Sequence, residues 1–257
     1  MLYLLKQLIE IIVHRKYHLQ IRFLWQKLSK KIDPEMLFIE KILNKKRGFV
    51  DIGANVGIYT YYFSEKFSAI NAFEPLEEIT YRIKSLNKSN IIIHNKALSS
   101  KKGKLKFYIP LINGLTVPPL ASLEKKKKPY KKKIVDVVTL DEFNFKNVDL
   151  IKIDVEGHEY FVLKGAIKTI KKNKPFIICE IEKRHSTTSL NKIIKLFKKL
   201  NYEGIFLYQS KINSINTFKY NIHQKPYIKD VENKKYINNF IFYHKSYYKN
   251  LKQFKFL

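Results

Sequence analysis

The twelve residues FVDIGANVGIYT (49–60) constrain the fold more than any other stretch of the chain. An apolar run ends on Asp51, glycines at 53 and 57 flank a tight turn, and a helical pattern begins at once. This is a strand–turn–helix unit. Its turn lets a ligand approach the backbone, and the new helix offers N–H groups that have no partner of their own. A dinucleotide fingerprint would need G-x-G-x-x-G, and a phosphate loop would need Gly-Lys followed by Ser or Thr. Neither is present, and the carboxylate of Asp51 at the strand end would repel phosphate.

The rest of the chain repeats the pattern. GFVDI (48–52), AINAFEP (69–75), IIIHN (91–95), VDLIKID (148–154), PFIICEI (175–181), YEGIFLY (202–208) and NNFIFYH (238–244) read as strands. Helical periodicity occupies 58–67, 76–87, 157–172 and 190–201 between them. Such alternation predicts βαβ units, a mostly parallel sheet and helices on both faces. Upstream, Leu5, Leu8, Ile9, Ile12 and Val13 recur at helical spacing, so residues 1–32 read as one or two helices. Asp33-Pro34-Glu35 reads as a further helix start running to about Asn44, with Asp33 as the cap and Pro34 in the first turn. Residues 99–147 break the rhythm. KLKFYI (104–109) and IVDVVTL (134–140) predict extra strands, and the lysine runs at 125–128 and 131–133 predict a mobile basic loop. The expected organisation is an N-terminal helical extension (1–45), an α/β domain (46–245) carrying the β-rich insertion (99–147), and a basic tail (246–257).

Two further motifs bear chemistry. Glu74 in FEP closes the second strand, seventeen residues after Gly57. An acid there can accept the protons of both ribose hydroxyls, as in the related dinucleotide fold. Taken with the turn, this favours a nucleoside ligand whose other end carries an ammonium and a sulfonium, namely S-adenosylmethionine. In IKIDVEGHEYFVLKGA (151–166), Asp154 ends a buried strand, and Glu156, His158 and Glu159 follow within one turn. Glu180 closes the next strand on the same rim. Ionisable groups gathered at the carboxyl ends of parallel strands lie where open α/β sheets bind ligands and where perturbed pKa values serve catalysis.

DIGANVGIYT, FEP, NKALSS, VTLDEF, LIKIDVEGHEYFVLKGA and IICEI stand in the order found in the FkbM family, over roughly residues 36–182, and NNFIFYH resembles that family's final strand. The chain thus resembles an S-adenosylmethionine-dependent methyltransferase with a Rossmann-like class I fold and a seven-stranded sheet. The resemblance implies O-methylation of a hydroxyl on a sugar, glycan or secondary metabolite. It implies that Asp51, Gly53, Asn55, Gly57 and Glu74 bind the cofactor, with Asn95 and Ala97 near the adenine. It places Asp154, Glu156 and His158 at the reaction centre, where Asp154 could also hold the cofactor. His158 matches a general base by its reference pKa, and Asp154 is the alternative. A divalent ion on Asp154, Glu156, His158 and Glu159 is disfavoured because side chains at adjacent turn positions seldom converge. The basic ends of the chain follow no family pattern.

Charge and composition narrow the rivals. The net charge is +28, yet residues 48–100 are neutral and 134–182 carry nine acids against seven bases. The motif-bearing segments are therefore the ones without positive excess. This argues against a nucleic-acid (RNA) methyltransferase, as does the lack of an Asn/Asp-Pro-Pro-aromatic motif after Asp154. A membrane-surface binding module is the other rival, because the basic amphipathic N-terminus suits anionic lipid. No secretory signal is expected, and no run reaches the ~18 apolar residues of a spanning helix. The expected location is the cytoplasm, with peripheral contact to the inner membrane surface open. The single cysteine, Cys179, lies in a buried strand pattern and excludes an internal disulfide.

Overall fold

Alternating side chains along the central strands point into two different apolar layers, which puts the sheet in the middle of the molecule. In this computed structural model, residues 13–14, 17–125, 129–184, 190–209 and 211–247 are described. The strands of the main sheet are β1 (Gly48–Ile52), β2 (Ala69–Phe73), β3 (Ile91–His94), β8 (Val148–Ile153), β9 (Phe176–Glu180), β10 (Tyr202–Tyr208), β11 (Lys211–Ser214) and β12 (Asn239–His244). Val50, Ile52, Ile151, Ile153, Ile177 and Cys179 pack into one cluster. Phe49, Leu150, Phe176 and Ile178, one residue out of phase, pack into the other. Strands buried on both faces read as continuous apolar runs, as these do.

The sheet order is β11-β10-β12-β9-β8-β1-β2-β3. The five strands from β9 to β3 are parallel; β12 and β11 run against them, and β10 between those two runs with them. The expected seven-stranded sheet is thus an eight-stranded one. The added strand, β11, is a short half-exposed hairpin arm with the sequence KINS, which carries no apolar run to announce it.

Helices α1 (His18–Leu28), α2 (Pro34–Ile42) and α3 (Ile58–Phe63) cover the face that receives Phe49. From α2, Met36, Phe38, Ile39 and Ile42 join that cluster directly. Along the chain follow α4 (Glu77–Lys84), α5 (Glu159–Lys164), α6 (Ile167–Asn173), α7 (Leu190–Lys199) and the short α8 (Tyr220–His223). Val162, Leu163, Ile170, Ile193 and Phe197 of α5, α6 and α7 fill the opposite face. The predicted helix over 157–172 is two helices, interrupted where Gly165 and Ala166 leave helical geometry. Asp33 does not cap α2; its carboxylate accepts a hydrogen bond from the Tyr59 hydroxyl at 2.9 Å instead.

The insertion, together with β4 (Ala97–Leu98) just before it, forms a second sheet from β4, β5 (Gly103–Ile112), β6 (Leu115–Thr116) and β7 (Tyr130–Val138), in the order β4-β7-β5-β6. Lys131–Lys133 belong to β7 and pair with β5 from Phe107 to Ile109, so the expected mobile loop does not include them. Their backbone is fixed in the ladder while their side chains face solvent. Leu5, Leu8, Ile9 and Ile12, the lysines at 126–128 and the tail beyond 247 lie outside the described residues. Among the described residues, no helix is long and apolar enough to cross a membrane.

Candidate active site

The carboxyl ends of β1, β2, β4 and β8 meet around a cleft of about 570 Å³. The turn after β1 supplies Gly53 and Asn55, the end of β2 supplies Glu74 and Pro75, and β4 supplies Ala97 and Leu98. The turn after β8 supplies Asp154, Glu156 and His158. Parallel strands bring these ends together because the order β8-β1-β2 reverses direction of travel at β1, which leaves a crevice at the switch.

The walls of this crevice are in close contact. A Cβ added to Gly53, whose φ is +76°, would stand 1.8 Å from the carbonyl oxygen of Asp154, so no side chain fits. The N–H groups of Gly53 and Ala54 both donate to the Phe73 carbonyl, at 2.9 and 3.0 Å, and lash the turn to β2. Asn55 adopts a left-handed conformation at φ 51°. Its N–H donates to Glu74 at 3.1 Å, and its side-chain oxygen is buried without a hydrogen-bond partner among the described residues. The other Glu74 oxygen accepts from the Leu76 N–H at 2.9 Å. Burial nonetheless raises the Glu74 pKa to about 7, against the pull of those two N–H groups.

The site residues named from the sequence divide into two sets. Gly53, Asn55, Glu74, Ala97, Asp154, Glu156 and His158 line the cleft. Asp51, Gly57 and Asn95 stand behind its wall. Asp51 is 2% exposed and accepts from the Thr60 hydroxyl at 2.6 Å. A Cβ on Gly57 would meet Ile83 of α4 at 2.3 Å, so this glycine serves packing. The Asn95 amide donates to the Glu74 carbonyl at 3.2 Å. Support of the turn and of Glu74 is what these three supply.

Both ring nitrogens of His158 are engaged in hydrogen bonds. Its Nδ1 lies 2.7 Å from Glu124 Oε1 and its Nε2 lies 2.8 Å from Ser99 Oγ. A carboxylate only accepts, so Nδ1 carries the hydrogen, while the serine hydroxyl can pair with Nε2 as donor or acceptor. Glu159 turns inward, where one oxygen accepts from the Gly157 N–H at 2.8 Å and burial raises its pKa to about 7. Glu180 and Glu182 share a small recess with Asp154, Glu156 and Glu159 beside the cleft. Among the described residues, no group of three or more His, Cys, Asp or Glu is arranged to hold a metal ion.

The sequence reading missed Lys152. Only 2% exposed, it lies 3.5 Å from Asp154 and 3.8 Å from Glu180. Burial alone would push its pKa down, but the combined attraction of Asp154, Glu180, Asp33 and Asp51 holds it above the usual lysine range. The available signal was a lysine inside the apolar run VDLIKI. Also missed was the cleft's far wall, built by Phe107, Pro118, Pro119, Ala121 and Leu123 of the insertion.

A family described as the methyltransferase FkbM domain matches residues 51–203, more than half of the chain and all of the cleft-forming turns. The chain belongs to the FkbM methyltransferase family. "Methyltransferase 1" of Beauveria bassiana (strain ARSEF 2860) is 30% identical over 144 residues, which are 45% of this chain and 57% of the fungal protein. The crystal structure of methyltransferase FkbM from Methylobacillus flagellatus KT superposes with a TM-score of 0.51 at 17% identity, covering 77% of this chain and 44% of that one. The latter likeness shows a shared fold, and the chain spans about half the length of these two relatives.

S-adenosylmethionine is the cofactor of this FkbM-family domain, and the residues at the cleft fit it. The glycine cradle admits no Cβ, the orphaned Asn55 oxygen awaits a donor, and the charged lining is predominantly acidic. Those features suit a cationic nucleoside and oppose a phosphate. Ala97, Leu98, Phe107 and Leu123 line the cleft with apolar side chains.

Proposed function

We propose that the protein methylates a hydroxyl oxygen on a sugar, glycan or secondary metabolite. The observation that carries this reading is the juxtaposition of Gly53, Asn55 and Glu74 with Asp154 in one cleft. Glu74 accepts from the ribose hydroxyls, the Gly53 turn lets the backbone approach the cofactor, and Ala97 with Leu98 flanks the base. When bound, S-adenosylmethionine supplies an electrophilic methyl group. The chain's part is to hold an acceptor oxygen opposite it and to remove the hydroxyl proton. Asp154 serves as the base. Its carboxylate is 36% exposed at the junction of the cleft and the acidic recess, whereas both His158 nitrogens are engaged. His158 then orients the turn that carries Asp154.

Calorimetry with S-adenosylhomocysteine tests the cofactor site. Transfer of a labelled methyl group to hydroxyl-bearing acceptors tests the reaction. Asp154→Asn should cut turnover about 10²-fold or more, the usual range for losing a general base, while leaving homocysteine-analogue affinity within a few-fold. Labelled methyl appearing on an amine or thiol would defeat the O-methyl assignment.

A second reading concerns location. On α1, Leu24 is 54% exposed, Trp25 36% and Leu28 72%, while Lys27 and Lys30 flank them. An apolar stripe with a basic border suits the surface of an anionic membrane, where lipid-linked acceptors are presented. Co-sedimentation with anionic vesicles, lost in Leu24→Asp/Leu28→Asp, checks it.

A further inference from the structure

The insertion does more than extend the fold, because residues 118–124 run as a strap across the cleft and are fastened on its far side. Pro118, Pro119, Ala121 and Leu123 face the cleft. Ser122 is 1% exposed. Its backbone exchanges hydrogen bonds with Tyr108 of β5, at 2.8 and 3.1 Å. Its hydroxyl sits between the carbonyl oxygens of Val155 (3.1 Å) and Glu156 (2.9 Å), in the turn that follows β8. The Glu124 N–H donates to that same hydroxyl at 3.0 Å. The Glu124 carboxylate then reaches His158 Nδ1 at 2.7 Å, and His158 Nε2 continues to Ser99 at 2.8 Å. The imidazole is also stacked on Phe161, with centroids 4.8 Å apart.

Two consequences follow from this chain of contacts. A charge-assisted bond to Glu124 keeps a hydrogen on His158 Nδ1 and so disfavours the tautomer protonated at Nε2 alone. The strap also cannot lift without breaking either the Ser122 or the Glu124 contact. Because Pro118, Pro119, Ala121 and Leu123 line the same cleft as Gly53, Asn55 and Glu74, a nucleoside seated there lies against the strap.

We propose that Glu124 is a positioning residue that locks His158 as the Nδ1–H tautomer and, with Ser122, clasps the 118–124 strap over the bound nucleoside, so that the clasp sets how long the cofactor stays. This rests on the cofactor reading of the cleft. It assigns the insertion a role in cofactor retention, and it makes His158 a clasp residue.

Stopped-flow binding of S-adenosylhomocysteine to the full chain tests the clasp. Glu124→Ala should raise the dissociation rate about tenfold, the scale of one lost charge-assisted hydrogen bond, with the association rate nearly unchanged. Ser122→Ala should act in the same direction. Glu124→Gln, whose amide oxygen still accepts from Nδ1–H, should recover part of the loss. Nitrogen-15 spectra of histidine-labelled wild type should show His158 protonated at Nδ1, and that signature should be lost in Glu124→Ala. Wild-type dissociation rates in both alanine variants, or an Nε2–H tautomer in the wild type, would overturn the proposal. A wild type that fails to bind S-adenosylhomocysteine at all would overturn the cofactor reading first and the clasp with it.

Discussion

The ammonium of Lys152 stands 3.5 Å from the carboxylate of Asp154, and it does so at the centre of the sheet, with only 2% of its side chain exposed. Register explains the position. Lys152 on β8 pairs with Asp51 on β1, and both point to the face covered by α1–α3. Asp33, from the turn before α2, and Tyr59, from α3, close over them. Lys152 thus carries one positive charge among several buried carboxylates, and its Nζ makes no hydrogen bond among the described residues.

Removing that charge should be costly. In Lys152→Met, Asp154, Glu180, Asp33 and Asp51 lose the attraction that opposes their burial. Breaking one partner of a buried ion pair typically costs about 3–5 kcal/mol, and a loss of that order is expected near pH 8. At pH 5 Asp51, whose pKa burial raises to about 6, and Glu180, raised well above the usual carboxylate range by burial, can protonate, so the loss should shrink. Guanidinium unfolding at both pH values checks this; an equal loss at both would mean that packing, not charge, is what Lys152 provides.

The buried acids also set the pH dependence of stability. Glu35 is raised from 4.5 to about 8 by burial, with repulsion from Asp33 adding to it. Glu159 and Glu74 rise to about 7 and Asp51 to about 6, all chiefly through burial. Each is an acid whose folded pKa exceeds its unfolded one, so the folded state holds a proton that the unfolded state has released. That stabilisation is full below the unfolded values and is lost as pH rises through the folded ones. Stability should therefore decline between about pH 5 and 8, by at most ~1.4 kcal/mol per pH unit for each group. Glu35→Gln should flatten the decline over pH 6–8. Stability that climbs with pH across this window would contradict the assignment.

The parallel half of the sheet was legible because GFVDI, AINAF, VDLIKI and FIICE are apolar runs bounded by glycine, proline or acids, and the spacing of their helices leaves one topology. The strand-end carboxylates Asp154 and Glu74 were legible for the same reason, since position at a strand end is a property of the local pattern. Contacts at long sequence separation were not. Glu124 meets His158 across 34 residues, and Asp33 meets Tyr59 across 26. Nothing in the local sequence around Glu124, a lysine-rich stretch after two prolines, marks it as facing inward. The direction in which Asp51 turns was likewise hidden. A strand fixes which face a side chain takes, but whether that face meets ligand or α3 depends on packing.

Two glycines with the same backbone angle allow steric crowding to be separated from strain. Gly53 and Gly114 both have φ +76°, but a Cβ on Gly53 would strike the Asp154 carbonyl at 1.8 Å, while nothing lies within 4 Å of one on Gly114. Gly114→Ala should cost only the left-handed penalty of about 1–2 kcal/mol and leave S-adenosylhomocysteine binding intact. Gly53→Ala must also push β1 and β8 apart at the cleft. It should lower the melting temperature further and abolish detectable binding heat. Equal effects of the two substitutions would show that the close approach at Gly53 carries no function.

Glu74 offers a direct reading of ligand affinity against pH. Only its ionised form can accept from two ribose hydroxyls, yet burial raises its pKa to about 7 even though Asn55 and Leu76 each donate an N–H to it. Binding must therefore expel a proton at low pH. The apparent dissociation constant of S-adenosylhomocysteine should be flat above about pH 7.5 and rise toward tenfold per pH unit below about 6.5. Calorimetry in buffers of different ionisation enthalpy should show proton release approaching one per site at the acid end. Glu74→Gln should bind weakly and without this slope, because an amide does not titrate. A wild-type affinity independent of pH from 5.5 to 8 would place the ribose away from Glu74, and with it the orientation of the nucleoside across β1 and β2.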